Sequence, residues 1–331
     1  MSRSHRVLLA AMACAIGMAQ ADEPHPGAAA FAESAAVGHG LEPSEVLEVL
    51  AEARFQQSIV DAMTRPAESK PWHAYRPIFL TSKRINGGVA FWRENESLID
   101  RASEAFGVDP EIIVSIIGVE TFYGRVTGNY RVIDALATLG FYYPESLKRD
   151  RSAFFAGELL EFMLLTREED LPVSEVTGSY AGAMGMGQFI SSSYRAYAVD
   201  FDDDGRRDLW RSTPDVVASV ANYLHRHGWQ KGELVALRAV PAGTLDPDII
   251  SSGPYTPEHR IADIAEHGLV SRADLDPERL AGVLELEEEA RNIYFLTFDN
   301  FYVITRYNRS PLYAMAVLQL GQEIKQAMDG S

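Results

Sequence analysis

Apolar residues recur at helical spacing through most of the chain. Val46, Val49, Leu50 and Ala53 fall at i, i+3, i+4 and i+7, with Glu45, Glu48 and Glu52 off that stripe, which predicts a helix from Ser44 to about Met63. Pro66 to Pro77 reads as a broken stretch containing Trp72 and Tyr75, and Val89 to Phe106 as a second amphipathic helix. Asp109-Pro110-Glu111 is a strong helix start: Asp can cap, Pro suits the first helical position, and Glu favours the positive end of the dipole. The segment that follows, Ile112 to about Thr121, is apolar on nearly every face, and such a helix is buried. Further helices are predicted over Ser152 to Arg167, from Thr213-Pro214-Asp215 to Gly228, and from Ser310-Pro311 through about Ala327.

The pattern changes over residues 233–306. Leu234 to Val240, Ala281 to Glu287 and Ile293 to Tyr307 show strand-like alternation or β-branched and aromatic content, with Pro and Gly between them. This predicts a small β-containing insertion with short helices near 257–266, in a chain that is otherwise helical. The fold class is α+β, mostly helical, and 331 residues suggest two or three sub-domains.

The first 21 residues are a different object. Arg3, His5 and Arg6 precede an apolar run from Val7, which ends at Ala19-Gln20-Ala21. A basic start, a short apolar stretch and an A-x-A ending describe a secretory leader cut before Asp22, and hence export to the periplasm. Cys14, the only cysteine, lies inside it; lipidation there is the less favoured alternative. Residues 22–42, rich in Ala, Gly and Pro, read as a loose tether. Without the leader, 28 basic residues face 47 acidic ones, a net charge near −19. That argues against nucleic acid as a partner, because phosphate binding needs clustered Lys and Arg.

Three segments carry candidate chemistry. Glu120 is the only acidic residue from Ile112 to Tyr130, near the end of the apolar helix and just before Phe122-Tyr123-Gly124. A desolvated carboxyl there has a raised pKa, as a general acid requires. A solvated glutamate at a helix end is the plainer alternative. Ser179 to Phe189 contains three close glycines, no charge, and flanking Ser179 and Gln188 that can hydrogen-bond a sugar; it lacks the lysine of a phosphate loop. A tight structural turn is the competing account. Asp200-Phe201-Asp202-Asp203-Asp204-Gly205-Arg206 matches the D-x-D-x-D-G spacing of a calcium loop, in which the backbone carbonyl of Arg206 would be a further ligand. Arg211 stands at the closing position, so Asp215 is the candidate to complete the site. A structural Ca2+ is the expected cofactor; no organic cofactor is expected. Aromatic residues, Tyr75, Tyr223 and Tyr313 among them, are candidates to line a sugar groove.

Glu120 with its neighbours, Asp134-Ala135-Leu136-Ala137-Thr138-Leu139, Gly182-Ala183-Met184-Gly185-x-Gly187-Gln188-Phe189, Ser219-Val220-Ala221-Asn222-Tyr223 and Thr305-Arg306-Tyr307-Asn308 together resemble the membrane-bound lytic murein transglycosylase B family, over roughly residues 70–325. The resemblance implies a lysozyme-like catalytic core, here residues 110–232 and 304–331. It adds a helical sub-domain of 43–109 joined by 135–175, and a small β sub-domain of 233–303. It implies peptidoglycan strands as substrate, with Glu120 as the only catalytic acid/base. Ser179, Gln188, Tyr223, Asn308, Tyr313 and Tyr75 match groove positions, and Asp200, Asp202, Asp204 and Asp215 match the calcium loop. Phe154 stands where the family pattern has tyrosine, after a longer spacer from Pro144. The implied reaction ends in 1,6-anhydromuramic acid; a hydrolytic muramidase, or a non-catalytic calcium-dependent wall-binding protein, is the alternative. Partners beyond glycan strands would be other cell-wall synthesis or hydrolase enzymes, and the protein is expected to be a monomer.

Overall fold

The computed structural model describes residues 24–64 and 70–330. The leader and Cys14 lie outside the described residues. Two small helices open the chain, α1 (Ala28–Ala36) and α2 (Pro43–Glu52), which pack together. Over its described part, then, the 22–42 segment is no loose tether. Ala28, Ala32 and Ala35 form a buried small-residue stripe at i, i+4 and i+7. His25 pins the segment, with Nδ1 3.1 Å from the Tyr142 hydroxyl and Nε2 3.2 Å from the Ala53 carbonyl.

The helix expected from Ser44 to Met63 is two, α2 and α3 (Gln57–Met63). The break at 53–56 arises because backbone N–H groups there find other partners. Arg54 N–H donates to Asp134 Oδ1 at 2.9 Å, and Gln56 N–H to Thr138 Oγ1 at 3.1 Å. Within the stretch expected to be broken, α4 (Trp72–Phe79) forms with Trp72 and Tyr75 buried one turn apart. The second amphipathic helix is also two, α5 (Ser82–Glu94) and α6 (Glu96–Phe106). Its start was misplaced because Gly87-Gly88 reads as a breaker. In the fold, a Cβ on Gly88 would come within 2.5 Å of Ile324 and of the Tyr123 hydroxyl, so glycine there serves close packing.

At the centre lies α7 (Pro110–Thr121), flanked by α5, α6, α11 (Thr213–Arg226) and α14 (Pro311–Asp329). Residues Ile112 to Val119 are all buried, as all-round apolarity predicts. Asp109 precedes it without capping it with its side chain; that carboxylate instead accepts Trp229 Nε1–H at 2.9 Å and the Gly232 N–H. Beside this core, α8 (Val132–Phe141) packs on α9 (Ser152–Glu168), which packs on α10 (Ser191–Tyr197). Strands β1 (Tyr130–Arg131) and β2 (Thr177–Gly178) form a two-stranded antiparallel ribbon that brings the glycine-rich segment back towards the end of α7.

The insertion is a five-stranded antiparallel sheet in the order β4-β6-β7-β3-β5. Its strands are β3 (Ala236–Pro241), β4 (His259–Arg260), β5 (Leu269–Ser271), β6 (Leu280–Glu287) and β7 (Asn292–Thr297), with α12 (Ile261–Glu266) between β4 and β5. Alternation on β6 sorts its two faces. Ala281 and Val283 join a small local core, whereas Leu284 and Leu286 join the main one. The strand-like reading of Ile293 to Tyr307 holds only to Thr297; the rest is α13 (Asp299–Tyr307). There the buried Asn300 side chain bonds to the backbone of Gln230 and Glu233, and Phe301 and Ile304 are buried one turn apart. Among the described residues, no helix is long and apolar enough to cross a membrane.

Candidate active site

Glu120 sits one residue before the end of α7. The helix stops at once after Thr121 because Phe122 and Tyr123 both adopt the left-handed conformation, at φ 53° and 61°. Such values are costly for large L-residues and persist only when surroundings enforce them. Here Tyr123 is wedged against Gly87, Gly88 and Gly118, with its hydroxyl donating to the Arg84 carbonyl at 3.0 Å. The buried Thr121 then stitches the helix end to the glycine-rich segment. Its hydroxyl lies 2.8 Å from the Met186 carbonyl, to which it donates, and accepts the Gly124 N–H at 3.0 Å.

The glycine-rich segment folds as consecutive tight turns, in which Met184 bridges Gly178 on one side and Phe189 on the other. Gly185 is required twice over: its φ is +69°, and a Cβ there would lie 2.4 Å from the Leu209 carbonyl. Gln188 is also left-handed (φ 51°), and its side-chain Nε2 donates to the carbonyls of Thr127 and Gly185 at 3.1 and 2.9 Å. Both amide hydrogens are thereby used, and the carbonyl Oε1 has no hydrogen-bond partner among the described residues. Ser179 Oγ accepts the N–H groups of Ala181 and Ala183, so this hydroxyl caps the turn and keeps only its proton to offer.

Around Glu120 the structure gathers phenols. Tyr313, at the start of α14, donates its hydroxyl proton to Glu120 Oε1 at 2.6 Å. Tyr307 donates to the Gly187 carbonyl at 2.5 Å and feels the Glu120 charge. Tyr75 is buried near Tyr313 and stacks on Trp72. Glu120 keeps a partial opening to solvent, but its surroundings are dense enough to desolvate it. Burial raises its pKa to about 7, opposed by the Tyr313 hydrogen bond; among the described residues no other carboxylate contributes. Burial and the nearby Glu120 raise both Tyr313 and Tyr307 well above the usual phenol range, so both stay protonated donors.

Two other expected groove residues have committed groups. Tyr223 is 7% exposed, donates to the Arg306 carbonyl at 2.5 Å and packs against Tyr307 and His227, so it supports the wall and leaves only an edge open. Asn308 Oδ1 accepts the Ser310 N–H at 3.0 Å; its amide NH2 is uncommitted among the described residues. Phe154 is 39% exposed, under the Arg151 guanidinium. The stitching role of Thr121 and the carbonyl-holding role of Tyr307 were missed by sequence reasoning. Tyr307 stood among the groove aromatics and in the quoted motif with Asn308, and Thr121 beside Glu120, but neither hydrogen bond has a signal in the sequence.

In the aspartate loop, Asp200, Asp202 and Asp204 bring one oxygen each within 4.8 Å of one another. Asp203 and Gly205 take left-handed φ values of 59° and 86°, and Asp200 accepts the Asp204 and Gly205 N–H groups, which folds the loop into a ring. Asp215 stands apart from these three. It does not belong to this oxygen cluster; fully buried, it accepts the Phe201 N–H and the Asp208 N–H, each at 2.8 Å. It therefore clamps both ends of the loop. Ser212 links loop and helix, donating to Asp202 at 2.8 Å and accepting the Asp215 N–H. The three-aspartate ring with the adjacent Arg206 carbonyl suits a hard divalent cation with oxygen ligands.

Comparison with known proteins extends the picture. The family model described as the transglycosylase SLT domain matches residues 24–322. Membrane-bound lytic murein transglycosylase B of Escherichia coli (strain K12) is 41% identical over 310 residues, which cover 91% of this chain and 83% of that protein. The crystal structure of soluble lytic transglycosylase SltB1 from Pseudomonas aeruginosa aligns with a TM-score of 0.83 at 43% identity, covering 92% of this chain and all of that one. The Escherichia coli lytic transglycosylase Slt35 in complex with calcium aligns with a TM-score of 0.81 at 41% identity, covering 92% and 94%.

Proposed function

Because this chain belongs to the transglycosylase SLT family, with an α+β, mostly helical architecture built on a lysozyme-like core, we propose that it is a lytic transglycosylase of peptidoglycan that uses Glu120 alone as acid and then base. The observation that carries this reading is the state of Glu120. It is a desolvated carboxyl with a pKa of about 7, hydrogen-bonded to a neutral phenol and under the influence of no second carboxylate. Ordinary glycosidases need two carboxylates, one as acid and one as base or nucleophile. A site with one carboxylate can instead take its nucleophile from the substrate.

Protonated Glu120 gives its proton to the oxygen that links muramic acid to the next sugar, and the bond from that oxygen to C1 breaks. The 2-acetamido group stabilises the positive charge at C1. Glu120, now ionised, removes the proton of the muramic acid C6 hydroxyl as that oxygen bonds to C1. The product carries a 1,6-anhydro ring, and no water is consumed. An intramolecular nucleophile benefits from high effective molarity. The uncommitted groups divide the acetamido contacts: the Asn308 NH2 donates to its carbonyl, and Gln188 Oε1 accepts its N–H. Tyr313 holds Glu120 in place and helps it carry charge.

Calcium at Asp200, Asp202, Asp204 and the Arg206 carbonyl belongs to the same proposal, as a structural ion that would rigidify the loop before α11. So does a periplasmic location, for which the basic, apolar, A-x-A-ended leader is the support. The segments 110–232 and 304–331 act as the catalytic core in this reading. They hold α7, the glycine-rich turns and the start of α14. Mass spectrometry of digested sacculi tests the chemistry: anhydro ends are expected, and a population of fully hydrated reducing ends would identify a hydrolase instead.

A further inference from the structure

The half-buried Phe122 lies two residues past Glu120. Three cationic side chains surround its ring: the guanidinium carbons of Arg125 and Arg84 at 4.8 and 5.0 Å from the centroid, and Lys83 Nζ at 5.7 Å. None of the three joins an ion pair among the described residues. Arg84 donates through Nη1 to the Ile78 carbonyl at 2.6 Å, while its Nε–H is buried without a partner. The whole chain carries a net charge of −17, so a cluster of three unpaired cations on one ring is out of keeping with the rest of the molecule. Like charges repel at this range, and the ring offsets only part of that. An anion completes such a cluster.

The position of the cluster narrows the choice of anion. A row of rings joins it to the candidate active site: Tyr75, near Tyr313, packs on Phe79 at 5.1 Å, and Arg84 spans Phe79 at 5.1 Å and Phe122. Exposed Ile78 and Val126 add apolar surface beside the cations. We propose that Lys83, Arg84 and Arg125 form a carboxylate-binding cage for the peptide branch that muramic acid carries, so that the enzyme reads the branch as well as the sugar backbone. This inference rests on the peptidoglycan reading above. An extended peptide covers about 3.5 Å per residue, so a branch of a few residues can run from the muramic acid beside Glu120 to the cage. Its alkyl side chains would lie on Phe122 and Val126 while a free carboxylate meets the guanidinium groups. Arginine suits that acceptor because its planar fork matches a carboxylate.

The test compares two glycan preparations that differ in one respect, peptide branches with free carboxylates and the same branches amidated. The readout is the ratio of kcat/KM on the first to that on the second. The full-length enzyme should favour free carboxylates about tenfold, and the preference should shrink as salt rises from about 0.05 to 0.5 M, a range that spans weak to strong screening, with Debye lengths of about 14 to 4 Å. Lys83 and Arg125 are exposed, so Lys83→Gln, Arg125→Gln and the double variant should fold, with circular dichroism as the check. The double variant should bring the ratio close to one. A wild-type ratio near one, or a double variant that keeps the wild-type ratio, overturns the cage. A wild-type enzyme that cleaves neither preparation overturns the proposed function instead, so the two failures are distinct.

Discussion

Tyr313 donates its phenolic proton to Glu120 at 2.6 Å, across a sequence separation of 193 residues. One helix end supplies the acid and the start of another supplies the group that steadies it. Burial raises Tyr313 well above the usual phenol range, so it remains a donor whether Glu120 is charged or neutral.

Glu120→Gln removes the only proton donor of the proposed reaction. Release of soluble muropeptides should fall by a factor on the order of 10^3 or more, with the fold retained. Unchanged lysis by this variant would exclude the mechanism.

Activity should fall as pH rises through about 7, where Glu120 loses the proton it must donate. Stability follows the same sign. The folded-state pKa is raised above the ordinary glutamate value, so the contribution of this carboxyl is fully present below that value and is lost as pH climbs to about 7. Above pH 7, Glu120→Gln should therefore melt higher than wild type, by roughly 1–3 kcal/mol in a denaturant titration.

Tyr313→Phe removes the hydrogen bond that lowers the Glu120 pKa. The descending limb of the pH–rate profile should move to higher pH, and kcat should drop about tenfold as the acid loses its fixed orientation. A profile that stays in place would show that Tyr313 does not act on Glu120.

Thr121→Val keeps the shape and deletes the hydroxyl that links α7 to Met186 and Gly124. Leaving those backbone groups unpaired should cost about 1–3 kcal/mol in chemical unfolding. In steady-state kinetics, kcat should suffer more than KM, because Glu120 is displaced while the rest of the groove stands.

Calcium at a hundredfold excess over its dissociation constant should stabilise the protein by about 2.7 kcal/mol, and a chelator should reverse the gain. Asp200→Asn should abolish the calcium-dependent rise in Tm. Asp215→Ala should destabilise the protein with or without the ion, since it strips two backbone N–H groups of their acceptor. Equal Tm values in calcium and chelator would leave the loop as an acidic turn.

The central helix and Glu120 were legible because all-round apolarity is a strong signal and a lone acid inside it stands out. In the sheet, β3, β6 and β7 were legible, whereas the two- and three-residue strands β4 and β5 were too short to show a period, and the strand-like reading past Thr297 gave way to α13. Other features were set by distant contacts. Asp134 and Thr138 split the predicted Ser44–Met63 helix by capturing the N–H groups of Arg54 and Gln56, and nothing near residues 53–56 announces it. Gly87-Gly88 reads as a break when read locally and as a close helix contact once Tyr123 and Ile324 are in place. Asp215 matched a ligand position in sequence, yet its oxygens meet the backbone N–H groups of Phe201 and Asp208, partners that only the folded loop brings together.

Thr121 to Met186, Tyr307 to Gly187 and Gln188 to Thr127 bind the end of α7 and the glycine-rich turns into one mechanical piece. Engineering is constrained accordingly. A substitution made in those turns to admit a bulkier sugar will also shift the proton donor. Altered specificity is then more accessible at residues outside these three hydrogen bonds, which can change without moving the end of α7.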